Sequence, residues 1–432
     1  MSVPAKDSAA AVEALAATTV GEYLRTRHNE KEAHPVGMQP HKQARLSTAR
    51  ARAALRARCR CCELARARFR VADASLSPRL QVAMISTTQS VGDAMQVLAA
   101  EHVLSAPLVL LTSSSDDSKY MVLGFLSVGD FLRAFVERAE RAVQYDTPLL
   151  TRMRTLSALG SEFCASGVIA LHTSDDGEVV FRGATEAMSL LELVRSGFLR
   201  LPFRRPPLPA RHRVGVFDEH GHLSDIVSMS SITVWALQHF DRLGALPKRT
   251  LAELGLAGSG SEAADAPPRE EVVCVPTEMP THVAFGTALH RGVSAVGVTD
   301  AASGVLVANL SQSDFRSFAA YDFGSLALPV GEFLVHRHNL SVPSDDEAAG
   351  EHGDNAPGSS ARGIRDPWAR ALAAARVAVT LRPDDTFLRL LEALVAARVH
   401  RVYICNDQMT PVAVVSHTDV LAVLLRGHKP AP

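Results

Sequence analysis

The sequence predicts an α/β protein built from four tandem repeats, each running strand, helix, strand, strand, helix. Three observations predict it. Short apolar runs alternate with amphipathic stretches of helical period through residues 80–427. The same order of elements returns at four places in that stretch. Finally, Val20-Gly21-Glu22-Tyr23-Leu24, continuing to Arg27-His28-Asn29, returns as Val330-Gly331-Glu332-Phe333-Leu334, continuing to Arg337-His338-Asn339, with seven of ten positions identical.

The last copy is the clearest template. Val377 to Leu381 is a short β-like run, and Asp385 to Ala397 an amphipathic helix with Phe387, Leu390, Leu391 and Leu394 at helical spacing. Val399 to Cys405 and Val412 to Val415 read as strands joined by an Asn406-Asp407 turn. Ser416-His417-Thr418-Asp419 then opens a closing helix, Val420 to Leu425. In the first copy the strands are Val82–Ile85, Ala106–Leu111 and Val122–Leu126. Its helices carry Val91, Met95 and Leu98, then Phe131 to Glu137 after Ser127-Val128-Gly129-Asp130. The third copy has a helix over about Val283 to His290, strands Val293–Val298 and Val305–Leu310, and Ser311-Gln312-Ser313-Asp314. The second is looser. A helix over about Ala184 to Arg195 precedes a Pro/Arg-rich insert, then strands Arg213–Phe217 and Ile226–Met229 and a helix from Ser230-Ser231.

These elements divide the chain into a lead-in at 1–79 and repeats at 80–140, 150–243, 245–322 and 323–427. The lead-in holds an Arg/Ala-rich stretch, Arg45 to Arg70. The last repeat holds a Ser/Gly/acidic insert at 340–366 that reads as a mobile loop.

Composition narrows the function. Hydrophobic residues make up 47% of the 432, enough for a sizeable core, and the net charge of -1 carries no global bias toward nucleic acid or membrane. No run of 18 apolar residues exists, so no transmembrane helix is expected. Met1 to Ala17 carries Lys6, Asp7 and Glu13, unlike a secretory signal. Six cysteines, three of them clustered at Cys59, Cys61 and Cys62, form no disulfide framework and suit a cytoplasmic or nuclear setting. Zinc needs four ligands at suitable spacing, and no second cysteine pair lies near that cluster, so no metal is expected. Asp322-Phe323-Gly324 spells a kinase triplet without the other kinase motifs, and no phosphate-binding loop or nucleophile elbow is present. No catalysis is expected.

The repeat resembles the CBS domain, and the chain from about 80 to 427 resembles the γ subunits of AMP-activated protein kinase. The resemblance rests on Val399-His400-Arg401-Val402-Tyr403, on Val414 to Leu421, on Ser105-Ala106-Pro107 with Gly124 to Phe131, and on Lys248 to Leu254. It implies that repeats pack in pairs, called Bateman modules, and that two pairs form a disk with nucleotides toward its centre. The implied ligands are AMP, ADP or ATP, and the implied partners a catalytic α and a scaffold β kinase subunit.

The resemblance also implies site residues. Asp130, Asp314 and Asp419 stand where the family's ribose-binding acids stand, with Ser127, Ser311, Ser416 and Thr418 beside them. An ionised Asp offers acceptors to both ribose hydroxyls, and the adjoining helix start suits phosphate. The same Ser-x-x-Asp pattern is also a helix cap, and the second repeat has Ser231 at the acidic position. His212-Arg213 and His400-Arg401 would face phosphates, Arg through a bidentate fork. Thr88, Ala106, Thr277, Ser294, Ala295 and Thr386 sit where the family contacts adenine, and each also suits ordinary turn or strand packing. Two departures stand out: Leu104 where γ subunits usually carry an Arg, and Gly297 where Pro is common. The alternatives are a free-standing CBS protein for another adenosyl ligand, and a scaffold with degenerate sites.

Overall fold

The computed structural model describes residues 5–33, 83–111, 120–144, 146–171, 184–199, 212–218, 222–258, 271–342, 364 and 366–426. The Arg/Ala-rich stretch with its three cysteines and most of the 340–366 insert lie outside the described residues.

Helices α1 (Ala5–Ala17) and α2 (Val20–Ala33) lead the chain. The first repeat follows as β1 (Ile85–Ser86), α3 (Val91–Ala100), β2 (Ser105–Leu111), β3 (Tyr120–Ser127) and α4 (Val128–Ala142). A long helix, α5 (Leu149–Ala165), comes next. The second repeat comprises α6 (Leu190–Glu192), β4 (Arg213–Phe217), β5 (Leu223–Ser228) and α7 (Met229–Gln238). The third is β6 (Cys274–Pro276), α8 (Thr281–His290), β7 (Ala295–Thr299), β8 (Leu306–Ser311) and α9 (Gln312–Phe315). Helices α10 (Val330–Arg337) and α11 (Pro367–Ala374) lead into β9 (Thr380–Leu381), α12 (Phe387–Ala396), β10 (Arg401–Cys405), β11 (Pro411–Ser416) and α13 (His417–Leu425).

The mixed α/β class expected from the sequence is what the chain forms. In three repeats the short first strand pairs parallel with the middle strand, and the middle strand pairs antiparallel with the last. All four antiparallel pairs also break register at the same step: Leu108/Val109, Val216/Phe217, Val298/Thr299 and Ile404/Cys405. A β-bulge bends a strand and increases its twist, so one bend is repeated in each sheet. It marks the second repeat as a true copy although its sheet shows two strands among the described residues.

Local chemistry explains where the second repeat departs. The helix expected over 184–195 is one α turn that widens into a π turn, Leu193–Phe198. Ser196 and Gly197 are poor helix formers. The wider winding buries Leu193, Val194 and Phe198 together.

Each lead-in segment docks on the other repeat of its pair. Thr19, ahead of the first repeat, bridges to Ser189 of the second, and Gly167, ahead of the second, bridges to Ser90 of the first. Thr250 bridges to Thr386 and Pro329 to Pro280 in the later pair. The sheets of each pair also pack together. Val109 and Val122 meet Phe217 and Leu223 in one pair; Leu306 meets Tyr403 and Cys405 in the other. Gly297 has a function at that second seam, because a Cβ there would lie 2.9 Å from Cys274 Sγ and 3.3 Å from the Tyr403 ring. Tyr403 then reaches across to donate to Asn309 Oδ1 at 2.7 Å.

Helices join the pairs. Helix α4 packs on α8 and α9, and α7 packs on α12 and α13. The repeats thus close a ring in the order first, second, fourth, third. The first and third share one core and the second and fourth another. The first of these cores is aromatic: Phe323 lies 4.4 Å from Phe135 and 5.6 Å from Phe315, ring centre to ring centre. Asp322-Phe323-Gly324 therefore has a packing role. Asp322 accepts from the Ala319 N–H, and Phe323 fills the core against Gly160 of α5, where a Cβ would be only 2.3 Å from the ring.

Candidate functional site

The register of each sheet sets the start of its middle strand beside the N-terminus of its closing helix. Ser105 pairs with Ser127, Arg213 with Ser228, Ala295 with Ser311 and Arg401 with Ser416. All four of these junctions face one central cavity of about 1570 Å³. A site for a single small molecule spans roughly 300–1,000 Å³, so the space exceeds one such ligand.

The helix starts are capping boxes. Asp130 Oδ2 accepts from the Ser127 N–H at 2.7 Å and hydroxyl at 2.6 Å. Asp314 does the same for Ser311 at 2.8 and 3.1 Å, and Asp419 for Ser416 at 2.8 Å each. In the second repeat Ser231 replaces the acid and pairs with Ser228 at 2.6 Å. The capping reading of these residues is therefore correct. It uses one carboxylate oxygen: for Asp130 and Asp314, Oδ1 takes no partner among the described residues. Burial pushes the Asp314 carboxyl up, against the hydrogen bonds from Ser311 and the charges of His338 and Arg337.

The strand starts differ in pairs. Aligned by register, the two positions are Leu104-Ser105, His212-Arg213, Ser294-Ala295 and His400-Arg401. Cations at the strand starts thus belong to the second and fourth repeats. Both arginines reach across a sheet seam. Arg401 donates to Ser294 Oγ at 2.7 Å, and Arg213 donates to Ser105 Oγ. Each arginine is tied to its pair partner at the edge of the cavity.

A third histidine joins them. His417, the first residue of α13, is 7% exposed, and its ring stands edge-to-face with His400 at 5.7 Å. Burial, then His400, His212 and Arg401, hold the His417 imidazole down at about 3. His400 opens into the cavity yet is ringed by protein. That enclosure, then Arg401, Arg213, His212 and Arg316, holds it at about 4. Though its side chain opens into the cavity, enclosure by the surrounding protein, then Arg213 and Arg401, also lowers His212. At neutral pH the cluster is two guanidinium groups among three neutral imidazoles.

The cavity wall gathers Ser127, Asp130, His212, Arg213, Ser294, Ala295. It also takes in Ser311, Asp314, His400, Arg401, Ser416, Thr418 and Asp419. Four of the expected adenine contacts lie elsewhere. Thr88 sits in the exposed turn after β1, bonded to Ser86; Ala106 is buried in β2; Thr386 caps α12; and Thr277 is buried with a hydroxyl that has no partner among the described residues. The three threonines occupy different places relative to the helix that follows each. Sequence reasoning passed over Ser105, His417 and Thr233, whose hydroxyl lies 2.9 Å from His417 Nδ1. His417 was detectable by register, since the other repeats carry Val128, Met229 and Gln312 there.

Among the described residues no group of three or more His, Cys, Asp or Glu could hold a metal ion, and no helix is long and apolar enough to cross a membrane.

The chain is a set of mixed α/β repeats whose polar strand–helix junctions surround a cavity. The CBS domain family model matches residues 371–426, and a CBS domain is present there. No curated protein matches the chain. Among solved structures, the chain is similar to a Methanocaldococcus jannaschii protein described as a candidate archaeal homologue of γ-AMPK. Identity is 11%, coverage 79% of this chain and 95% of the other, and the TM-score 0.47. It is similar to an uncharacterised Pyrococcus horikoshii protein at 12% identity, covering 80% and 96%, with TM-score 0.34. A CBS-pair protein from Arabidopsis thaliana shows 22% identity over 38% of this chain and 93% of its own, with TM-score 0.25.

Proposed function

We propose that this chain is a non-catalytic regulatory protein that binds adenine nucleotides in its central cavity. Its first pair of repeats spans about 80–243 and its second about 245–427. The observation that carries the reading is the convergence of two His-Arg strand starts and three capped aspartates on one cavity wall. Arg213 and Arg401 take phosphate, with His212 and His400 as further partners. Asp130 and Asp314 bond ribose through the carboxylate oxygen that does not cap, and Asp419 is the third ribose acid. Ser127, Ser311, Ser416 and Thr418 serve the phosphate beside the helix starts.

AMP and ATP bring different charge to the same arginines, so their affinities differ with the arrangement of the cluster. A ligand shifts an equilibrium only by its differential affinity for two states. The responding partner in this reading is a Ser/Thr kinase, with this chain as the γ-type subunit beside catalytic α and scaffold β subunits. The capped aspartates make the second repeat, with Ser231, the altered site.

Calorimetric titration with AMP, ATP and adenosine tests the reading. Saturable AMP binding is expected, and it should be lost in a folded Asp130→Ala/Asp314→Ala/Asp419→Ala variant. No binding by the wild type would leave the aspartates as caps alone. Co-purification with a Ser/Thr kinase and a carbohydrate-binding β subunit tests the partnership.

A further inference from the structure

The phosphate-facing cluster contains a group that neither the capping boxes nor the His-Arg pairs account for. His417 stands at a position held by Val128, Met229 and Gln312 in the other repeats. It is nearly buried, yet it lies on the cavity wall among Arg401, His400 and His212.

Its hydrogen-bond partner is Thr233. A hydroxyl has one proton to donate. Thr233 Oγ1 donates to the Met229 carbonyl one helical turn back at 3.2 Å. The same oxygen lies 2.9 Å from His417 Nδ1. Where Thr233 gives its proton to Met229 and accepts from His417, Nδ1 carries the imidazole hydrogen and Nε2 the lone pair. Thr233 is fully buried and fixes the ring from behind.

We propose that His417 Nε2 is a proton-accepting phosphate ligand of the central site, so that binding of a phosphorylated ligand is coupled to uptake of one proton from water. The step is simple to balance. A solvent proton adds to the Nε2 lone pair, the imidazole becomes an imidazolium, and the new N–H donates to a phosphate oxygen; no other bond changes. The proposal rests on the phosphate site placed at Arg213 and Arg401 above.

The charges around His417 explain why the ligand must come first. Those acting on the ring are cationic or become so on protonation: His400 and Arg401 from the fourth repeat, His212 from the second. Arg213 and Arg316 act on its neighbour His400. Of the elements packed against α13, α7 and β11 carry no titratable side chain, and the described part of α1 brings only Glu13, exposed to solvent. Asp419 of α13 itself is engaged by the Ser416 cap, and the remaining cavity carboxylates, Asp130, Glu137, Glu271 and Asp314, belong to the other half of the ring. In the ligand-free cluster a further positive charge is therefore disfavoured. A phosphate supplies negative charge next to the ring, and protonation becomes favourable.

Titration calorimetry near pH 6 in two buffers of different ionisation enthalpy counts protons taken up per ligand, with AMP as the probe. His417→Gln is the matched variant: its amide can still bond Thr233 but cannot titrate in this range. Wild type should take up more protons per bound AMP than His417→Gln. Its AMP affinity should also tighten several-fold more between about pH 8 and about pH 6 than the variant's. Any protonation change on AMP itself is common to both proteins and cancels in the difference. Equal proton numbers in two proteins that both bind AMP would overturn the His417 proposal and leave the nucleotide reading intact. If AMP binds neither protein, inorganic pyrophosphate decides. Wild-type-specific proton uptake with pyrophosphate would keep His417 as a phosphate ligand without the nucleotide, and no binding of either probe would overturn both.

Discussion

The two helix-packed halves of the ring share a fold and differ in what they bring to the cavity. The half built from the first and third repeats has a core of phenylalanines packed tilted and edge-to-face around Phe323 and neutral strand starts at Leu104-Ser105 and Ser294-Ala295. The half built from the second and fourth has a largely aliphatic core, with His212-Arg213, His400-Arg401 and His417 at the same register. The half with neutral strand starts is not idle, because Ser105 and Ser294 are the residues that receive the two arginines. At the strand starts one half supplies the cations and the other holds them in place. A symmetric ring of four cationic junctions would crowd like charges in one cavity; the alternation places serine acceptors opposite the guanidinium groups instead.

Removing the aromatic plug should have the largest effect. Phe323→Ala empties the centre of the first core and should lower stability by about 3–5 kcal/mol. Thermal unfolding should show a large drop in Tm, and a change under 1 kcal/mol, set against that range, would contradict the packing. Next comes the charge itself. Arg401→Ala should weaken AMP by about 1.5–3 kcal/mol, the range for hydrogen bonds to charged groups, with adenosine nearly unaffected in parallel titrations.

Acid should act through the cationic half. An unfolded chain protonates His near about 6.5, whereas the fold holds His400 down at about 4 and His417 at about 3. Below about pH 6.5 the unfolded state therefore binds more protons, and stability present above that pH is lost as pH falls toward 4 and 3. Denaturant unfolding of His417→Gln should show a flatter decline than wild type over that window. A smaller gain is expected at Thr277, whose buried hydroxyl lacks a partner among the described residues. Thr277→Val keeps the shape and should stabilise by up to about 1 kcal/mol; a loss of similar size would mean the hydroxyl is bonded after all.

Much of this was legible in the sequence for a physical reason. The strands and helices of the first, third and fourth repeats follow apolar periodicity, and Ser-x-x-Asp marks the helix starts whatever else it does. The helix of the second repeat was misread because Ser196-Gly197 loosens it into a wider turn that still buries Phe198. Helix α5 stands where α1 stands ahead of the first repeat, each ending two residues before the residue that bridges to the other repeat of the pair, Gly167 and Thr19. The Arg213–Ser105 and Arg401–Ser294 bonds join residues 108 and 107 positions apart and exist only when pairs of repeats close. The three adenine threonines are not equivalent to one another, although the turns have the same length from Ile85, Val275 and Leu381 to the caps Ser90, Pro280 and Thr386: Thr386 is itself the cap, whereas Thr88 and Thr277 lie two and three residues ahead of theirs.

In the proposed reading the second and fourth repeats hold phosphate while their neighbours position the arginines. The direct test is to titrate AMP and adenosine into wild type and a folded Arg213→Ala/Arg401→Ala variant. The account predicts that AMP affinity falls by about 100-fold or more, two charge-assisted contacts being lost, while adenosine binding changes little. Equal losses for the two ligands, or AMP binding that survives unchanged, would contradict it.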